Sequence, residues 1–305
     1  MHSIIGQSQH FRATLHKASL AAKSRVRILL KGETGTGKET LARFIHAESA
    51  QNAHPFVAVN CASLSPDLLE SELFGHVKGA FTGALKDHGG LVAAAAGGTL
   101  FLDEIAEMPP ALQAKLLRFA ETGEFRKVGS AAIEKADMRL IAATHRNLDD
   151  AVRRGLFRED LYYRLAIVTL TLPPLRERRD DIPLLAAAFL DGISAAERRA
   201  FTHIEPASLA ALASHPWPGN IRELYNMSYN AAVMQSGPAL SLALPHPESS
   251  AVMELMRGST KPQPLWRVEQ AAIDAAVDYC GGNIPQAARL LEVSPSTLYR
   301  RRETA

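Results

Sequence analysis

The sequence predicts an α/β fold, a parallel sheet that carries a phosphate-binding loop, followed by a helical subdomain and a small all-α domain. Three observations carry that prediction. Over residues 1–172 short β-rich runs alternate with helical patterns, which indicates parallel strands joined by crossover helices. A glycine-rich loop sits between the first such strand and its helix. From Pro173 the strand signal stops, and only helical patterns follow.

The strands are expected at Arg27–Lys31, Phe56–Val59, Thr99–Leu102, Leu140–Ala143 and Ala166–Leu170, all apolar runs suited to a sheet buried on both faces. Lys38–Ser49 and Pro110–Glu121 are expected helices between them. Residues 173–236 read as a helical subdomain with helices at Asp180–Leu190, Pro206–Ser214 and Asn220–Met234. Residues 237–264 collect Pro238, Pro245, Pro247, Pro262 and Pro264 with serines and glycine, a linker composition. Residues 265–305 are helical again.

Composition bounds the rest. A hydrophobic fraction of 47% with 22% charged residues is ordinary for a folded chain of 305 residues. The net charge of +2 is too small to make the whole surface a nucleic-acid or membrane binder, so any DNA-binding charge has to be local. The two cysteines, Cys61 and Cys280, form no Cys-x-x-Cys pair, which fits a reducing compartment and no structural zinc. The eleven histidines show no metal-ligand spacing. No apolar run approaches the ~20 residues of a membrane span, and Met1 to Gln9 lacks the signal-peptide pattern. The expected location is the cytoplasm.

Gly32, Glu33, Thr34, Gly35, Thr36, Gly37 and Lys38 form the phosphate loop. Its glycines let backbone N–H groups curl around phosphate oxygens, and the following helix N-terminus adds partial positive charge. Lys38 supplies a full charge for the β- and γ-phosphates. By the generic pattern Glu39 is a departure where Ser or Thr is usual, with Thr40 next. Downstream, Thr99–Leu102 runs into Asp103 and Glu104, an apolar strand ending in two carboxylates. Such a pair suits Mg²⁺ at Asp103 and water activation at Glu104. The expected cofactors are ATP and Mg²⁺.

Between these motifs lie Gly79, Ala80, Phe81, Thr82, Gly83 and Ala84. Physically this is a glycine-bounded loop with one aromatic. As a string, GAFTGA resembles the signature loop of sigma-54-dependent activators, AAA+ ATPases of the bacterial enhancer-binding class. The resemblance covers nearly the whole chain and assigns roles that the residues alone do not. Glu39 is similar to that family's own variant of the loop. Asn60 matches the asparagine that senses the γ-phosphate and signals to Glu104. Thr144, in Ala142–Arg146, matches the sensor I threonine, with His145 where asparagine is common. Arg158 and Arg164 match two arginine fingers, although each also suits an internal salt bridge with Glu159 or Asp160. Arg222, in Trp217–Leu224, matches the sensor II arginine, and a pair with Glu223 is its plainer alternative.

The tail has its own signal. Trp266–Tyr279 reads as a helix, Gly281–Asn283 as a stop and a new N-cap, Ile284–Leu291 as a helix with Ala287, Ala288 and Leu291 inward, and Ser296–Arg302 as a basic helix. It resembles a Fis-type helix-turn-helix, with Glu292 where that family often has glycine. The resemblance implies DNA contact by Ser296, Thr297, Tyr299, Arg300 and Arg301, although cations also suit a helix C-terminus. One module this small binds weakly, so paired copies are expected.

The implied function is ATP-driven activation of the sigma-54 RNA polymerase holoenzyme from upstream enhancer DNA, in a hexameric ring, with Gly79–Ala84 touching sigma-54. Two other classes fit parts of the sequence. A AAA+ remodeller of other clients is disfavoured by the GAFTGA loop and the tail. A DNA-binding regulator with a decayed ATPase predicts damage at Lys38, Asp103, Glu104 or the fingers, and all are intact. The motif set begins almost at Met1, leaving no room ahead of it for a receiver domain, so control is expected in trans, from a regulator protein, from expression level or from a co-assembling homologue.

Overall fold

The computed structural model describes residues 4–242 and, in the tail, 272–277, 279–280, 283–291, 293–294 and 298. The chain divides into two compact units, Met1–Leu244 and Pro245–Ala305, and each is described by itself.

The first unit opens with α1 (Gln9–Ala22), β1 (Ile28–Lys31), α2 (Lys38–Ala47) and β2 (Phe56–Asn60). It continues through α3 (Pro66–Phe74), α4 (Leu91–Ala94), β3 (Thr99–Asp103) and α5 (Pro110–Thr122). A short hairpin follows, β4 (Glu124–Phe125) with β5 (Glu134–Lys135), then β6 (Arg139–Thr144), α6 (Leu148–Arg153), α7 (Glu159–Leu165) and β7 (Val168–Thr171). The main sheet is parallel, in the order β2-β3-β6-β1-β7.

Alternation along the strands splits the core into two layers. Leu29, Leu100, Leu102, Leu140 and Ala142 pack with α3, α5 and α7 on one face. Ile28, Leu30, Phe101, Ile141 and Ala143 pack with α1 and α2 on the other. Register aligns the C-terminal strand ends: Asn60 stands beside Asp103, and Lys31 beside Thr144. In open parallel sheets that edge is where ligands bind. Arg139 is the exception in the apolar run. It is 1% exposed and donates to the carbonyls of Ala21 and Ala22 at 2.7 and 3.2 Å, at the C-terminal end of α1. Burial pushes its guanidinium down to about 10.

The helical subdomain comprises α8 (Ile182–Ala196), β8 (His203–Ile204), α9 (Pro206–Ser214), α10 (Asn220–Met234) and β9 (Ala239–Leu240). Its core closes on Trp217, whose indole N–H donates to the Leu212 carbonyl at 2.9 Å. Here the structure corrects the sequence reading. The strand signal does not stop at Pro173: β8 and β9 pair in parallel. Strands of two residues are too short to show a period. The linker does not begin at 237 either, because Leu240 and Leu242 are buried in the subdomain core. The last sheet strand starts at Val168, since Ala166 still caps α7. The first lid helix starts at Ile182, after a short 3-10 turn at Arg179–Asp181.

In the tail, residues 272–277 are helical and a second helix spans Ile284–Leu290. The Asn283 side chain caps that helix by accepting from the Gln286 N–H at 3.2 Å. Ala287 and Ala288 are fully buried with Ile273, Val277 and Leu298, and Leu291 packs against them. Glu292 and the expected DNA contacts Ser296, Thr297, Tyr299, Arg300 and Arg301 lie outside the described residues.

Candidate active site

The phosphate loop runs from β1 into α2 and meets the helical subdomain directly. Gly35 and Gly37 have φ of +80 and +96, values that favour glycine. A Cβ on Gly35 would fall on the Gly219 carbonyl oxygen and lie 3.1 Å from the Arg222 Cβ. The Ile221 N–H donates to the Gly35 carbonyl at 3.0 Å, and Asn220 Nδ2 donates to the Thr34 carbonyl at 3.0 Å and to Glu33 at 3.1 Å. Arg176 grips Glu33 with two bonds, at 2.6 and 2.8 Å. The Gly219–Arg222 segment therefore sits on the loop itself.

Lys38 is 7% exposed, and its Nζ donates to the carbonyls of Gly32 and Glu33 at 3.0 and 3.3 Å. Glu104 Oε1 lies 3.8 Å from that nitrogen. Burial holds the Lys38 ammonium below the ordinary lysine range, against the pull of Glu104 and Asp103. Asp103 is raised above the ordinary carboxylate range, by burial first and then by the Glu104 charge. Glu104 has φ +51, a left-handed conformation that costs a non-glycine residue roughly 1–3 kcal/mol. Its backbone N–H donates to Asp103 Oδ1 at 3.0 Å.

The other expected residues are placed as follows. Asn60 Oδ1 accepts from the Ala62 N–H at 2.8 Å. Thr144 is fully buried: its carbonyl accepts from the Gly32 N–H at 3.3 Å, and its hydroxyl from the Arg146 N–H at 3.0 Å. Glu39 is exposed and paired with Arg43 at 2.7 Å. Thr40 lines a cavity of about 470 Å³ with Ile5, Phe11, Thr36, Gly37, Arg178 and Ile221, beside the phosphate loop and floored by apolar side chains. Arg158 and Arg164, the expected fingers, do not line this cavity. Arg158 is bound to Asp160 at 2.7 and 3.0 Å, the plainer alternative of the sequence reading, and both are half exposed. Arg164 lies 3.4 Å from the carbonyls of Ala120 and Glu121, at the C-terminal end of α5. Arg27 reaches the same Ala120 carbonyl.

Gly79–Ala84 closes a short stalk and touches His76 and Gly129. Its stalk is held by His76 paired with His88 and by the Val77 N–H on the Val128 carbonyl at 3.1 Å. The tip is a closed turn rather than an open loop: the Gly79 N–H donates to the Ala84 carbonyl at 2.9 Å. Gly79 and Gly83 take φ of +83 and +106 in open space. Thr82 is exposed, Ala84 is buried, and Phe81 is half exposed with its ring edge-on to His76, centroids 5.0 Å apart. Ala80 leans on Gly129, where a Cβ would meet it at 2.7 Å.

Sequence reasoning missed three features. Arg178 and Asp181, in the charged run 176–181, are buried and 2.8 Å apart, and Arg178 stacks 3.5 Å over the Phe11 ring. The Arg176 clamp on Glu33 spans too much sequence to be legible as a pair. His145, whose role the motif leaves open, contacts Glu104 through Nδ1 at 2.6 Å.

Comparison with known proteins bears on the whole chain. Residues 4–171 match the "Sigma-54 interaction domain" family, residues 176–250 the "AAA+ ATPase lid domain", and residues 264–303 the "Bacterial regulatory protein, Fis family". The regulatory protein LuxO of Vibrio parahaemolyticus is 45% identical over 307 residues, covering 97% of this chain and 68% of the relative. The transcriptional regulatory protein ZraR of Escherichia coli is 46% identical over 296 residues, covering 97% and 67%. The solved structure of NtrX from Brucella abortus in complex with ADP superposes with a TM-score of 0.76 at 32% identity, covering 99% of this chain and 68% of that one. Its complex with ATP gives 0.75 at 32% identity, covering 100% and 69%. Among the described residues no helix is long and apolar enough to cross a membrane.

Proposed function

The chain belongs to the sigma-54-dependent transcription activators, AAA+ ATPases with a Fis-type DNA-binding domain, and from that premise we propose that it couples Mg-ATP hydrolysis to conversion of the sigma-54 holoenzyme from closed to open promoter complex. The tail holds the protein at upstream enhancer DNA through Ser296, Thr297, Tyr299, Arg300 and Arg301.

The observation that carries this reading is the convergence of Lys38 and Glu104 at one sheet edge, under a lid that touches the phosphate loop. The residues fit the nucleotide. A loop turned at positive φ by Gly35 and Gly37 into the start of α2, with a desolvated lysine beside it, suits an anionic group at that point. Bound ATP with Mg²⁺ supplies the phosphoanhydride bond to be cut. Around it Lys38 neutralises β- and γ-phosphate charge, Asp103 holds the metal, and Glu104 polarises the attacking water. Thr144 fixes the strand end and Asn60 reports the γ-phosphate. Arg222 reaches the nucleotide from the lid, and Ile5 with Phe11 lines the base pocket. Glu39 and Thr40 follow Lys38 in the first turn of α2.

Arg158 and Arg164 lie outside this cavity, which supports their action on a neighbour's nucleotide and hence a ring, with a hexamer the family expectation. Engagement in trans replaces the Asp160 partner of Arg158 and the weak carbonyl contacts of Arg164. The Gly79–Ala84 turn, with Phe81 and Thr82 outward and no charged group of its own, suits contact with sigma-54 rather than with phosphate. Control by a regulator protein in trans belongs to the same reading.

The test compares open-complex formation by sigma-54 holoenzyme with ATP and with a non-hydrolysable analogue. Wild type should open promoters only with ATP. Lys38→Ala should lose nucleotide binding, and Glu104→Gln should bind ATP without turning it over. Normal phosphate release by Glu104→Gln would overturn the assignment.

A further inference from the structure

Glu104 has both carboxylate oxygens facing partners of its own chain. Oε1 lies 3.8 Å from Lys38 Nζ. Oε2 accepts from the His145 backbone N–H at 3.3 Å and lies 2.6 Å from His145 Nδ1. A ring nitrogen that close to a carboxylate carries the proton and donates. Asn60 Oδ1 accepts from the Ala62 N–H at 2.8 Å.

We propose that His145 is a positioning residue that restrains Glu104, holding Oε2 with its ring and backbone N–H groups so that basal ATP turnover stays low until that bond is released. The inference rests on Glu104 as the water-polarising group. A carboxylate oxygen that already accepts two hydrogen bonds is a poorer acceptor for a water proton. Of the two partners, His145 is the one free to leave: its side chain is 39% exposed, against 6% for Lys38. A route for release is built into the chain. His145 directly follows Thr144, whose carbonyl accepts from the Gly32 N–H, so movement of the phosphate loop reaches His145 through one peptide.

The test uses the full chain with His145→Ala, His145→Asn, Glu104→Gln and the His145→Ala/Glu104→Gln double variant. Phosphate release is measured with saturating ATP and Mg²⁺ in the absence of sigma-54, together with nucleotide affinity and thermal unfolding. His145→Ala should raise kcat several-fold, on the order of tenfold at most, the range for losing one hydrogen bond to a charged group. Nucleotide affinity and unfolding temperature should stay at wild-type values. His145→Asn, which keeps a side-chain donor, should return kcat toward wild type, and the double variant should be as inactive as Glu104→Gln. A kcat that is unchanged or lowered in His145→Ala at unaltered affinity, or equally raised in Ala and Asn, overturns the restraint. Wild-type turnover by Glu104→Gln alone would overturn the assignment of Glu104 on which the restraint stands.

Discussion

Asp181 joins the start of the chain to the lid, and removing its carboxylate should loosen both. The group is fully buried and accepts from the Gln7 and Ser8 backbone N–H groups at 2.6 and 2.9 Å, from the Ser8 hydroxyl at 3.0 Å and from Arg178 Nε at 2.8 Å. Arg178 in turn donates to the Ile5 carbonyl at 3.2 Å and covers Phe11, two residues that line the cavity beside the phosphate loop. Asp181→Ala strands a buried guanidinium, which costs roughly 3–5 kcal/mol. For a unit of this size that is a fall of roughly 6–20 °C in Tm. Adding Arg178→Met should recover part of the loss, because the uncompensated charge is gone. The Gln7 and Ser8 donors stay stranded, so about 1–3 kcal/mol should remain missing.

Acid should expose the same contact. Burial works against the Asp181 carboxylate, yet the Gln7 N–H, Arg178 and Ser8 together hold it below the usual range. A depressed value means that the stabilisation is complete above the ordinary carboxylate value of about 3.9 and is lost as pH falls through the lower folded value. Urea unfolding followed by circular dichroism, at neutral pH and down the acid limb, measures both effects. A single-variant loss below about 1 kcal/mol, or strict additivity with Arg178→Met, would refute the reasoning.

Gly35→Ala should weaken nucleotide binding and displace the lid, because the new Cβ lands on the Gly219 carbonyl at a φ of +80; equal affinity by titration with a fluorescent nucleotide would contradict the contact. Mixing Arg164→Ala with Lys38→Ala subunits should restore part of the ATPase, since a finger can contribute on the order of 10³–10⁵ in rate. No recovery at any ratio, with assembly confirmed by sedimentation, would count against action in trans. A chain ending at 236 should melt well below one ending at 244, because it loses Leu240 and Leu242 from the lid core, at roughly 1.5–3 kcal/mol each.

Much of this site is legible in the sequence because its parts are local. A strand, a glycine turn and a helix start place Lys38, and an apolar strand ending in Asp103 and Glu104 needs only its own residues to be seen. What escapes is what the fold brings together from afar. The Arg176–Glu33 clamp and the Asn220 bridge join positions 143 and 187 residues apart, and the Arg178–Asp181 pair is covered by Ser8 and Phe11 from the start of the chain. The two-residue strands of the lid carry no period, and the prolines around Leu240 disguise its burial. Arg158 shows the converse: its motif names a role, while the resting geometry gives it an internal partner.

The central claim is that hydrolysis at Lys38 and Glu104 acts on sigma-54 through the Gly79–Ala84 turn. Thr82→Ala tests it most directly, because Thr82 is exposed in a turn whose neighbours are His76 and Gly129. One preparation is divided between a phosphate-release assay and a gel-shift for the sigma-54 complex formed with ADP–aluminium fluoride. The account predicts phosphate release near wild type with the sigma-54 complex and promoter opening both lost. A Thr82→Ala protein that still traps sigma-54 and still opens promoters would contradict it.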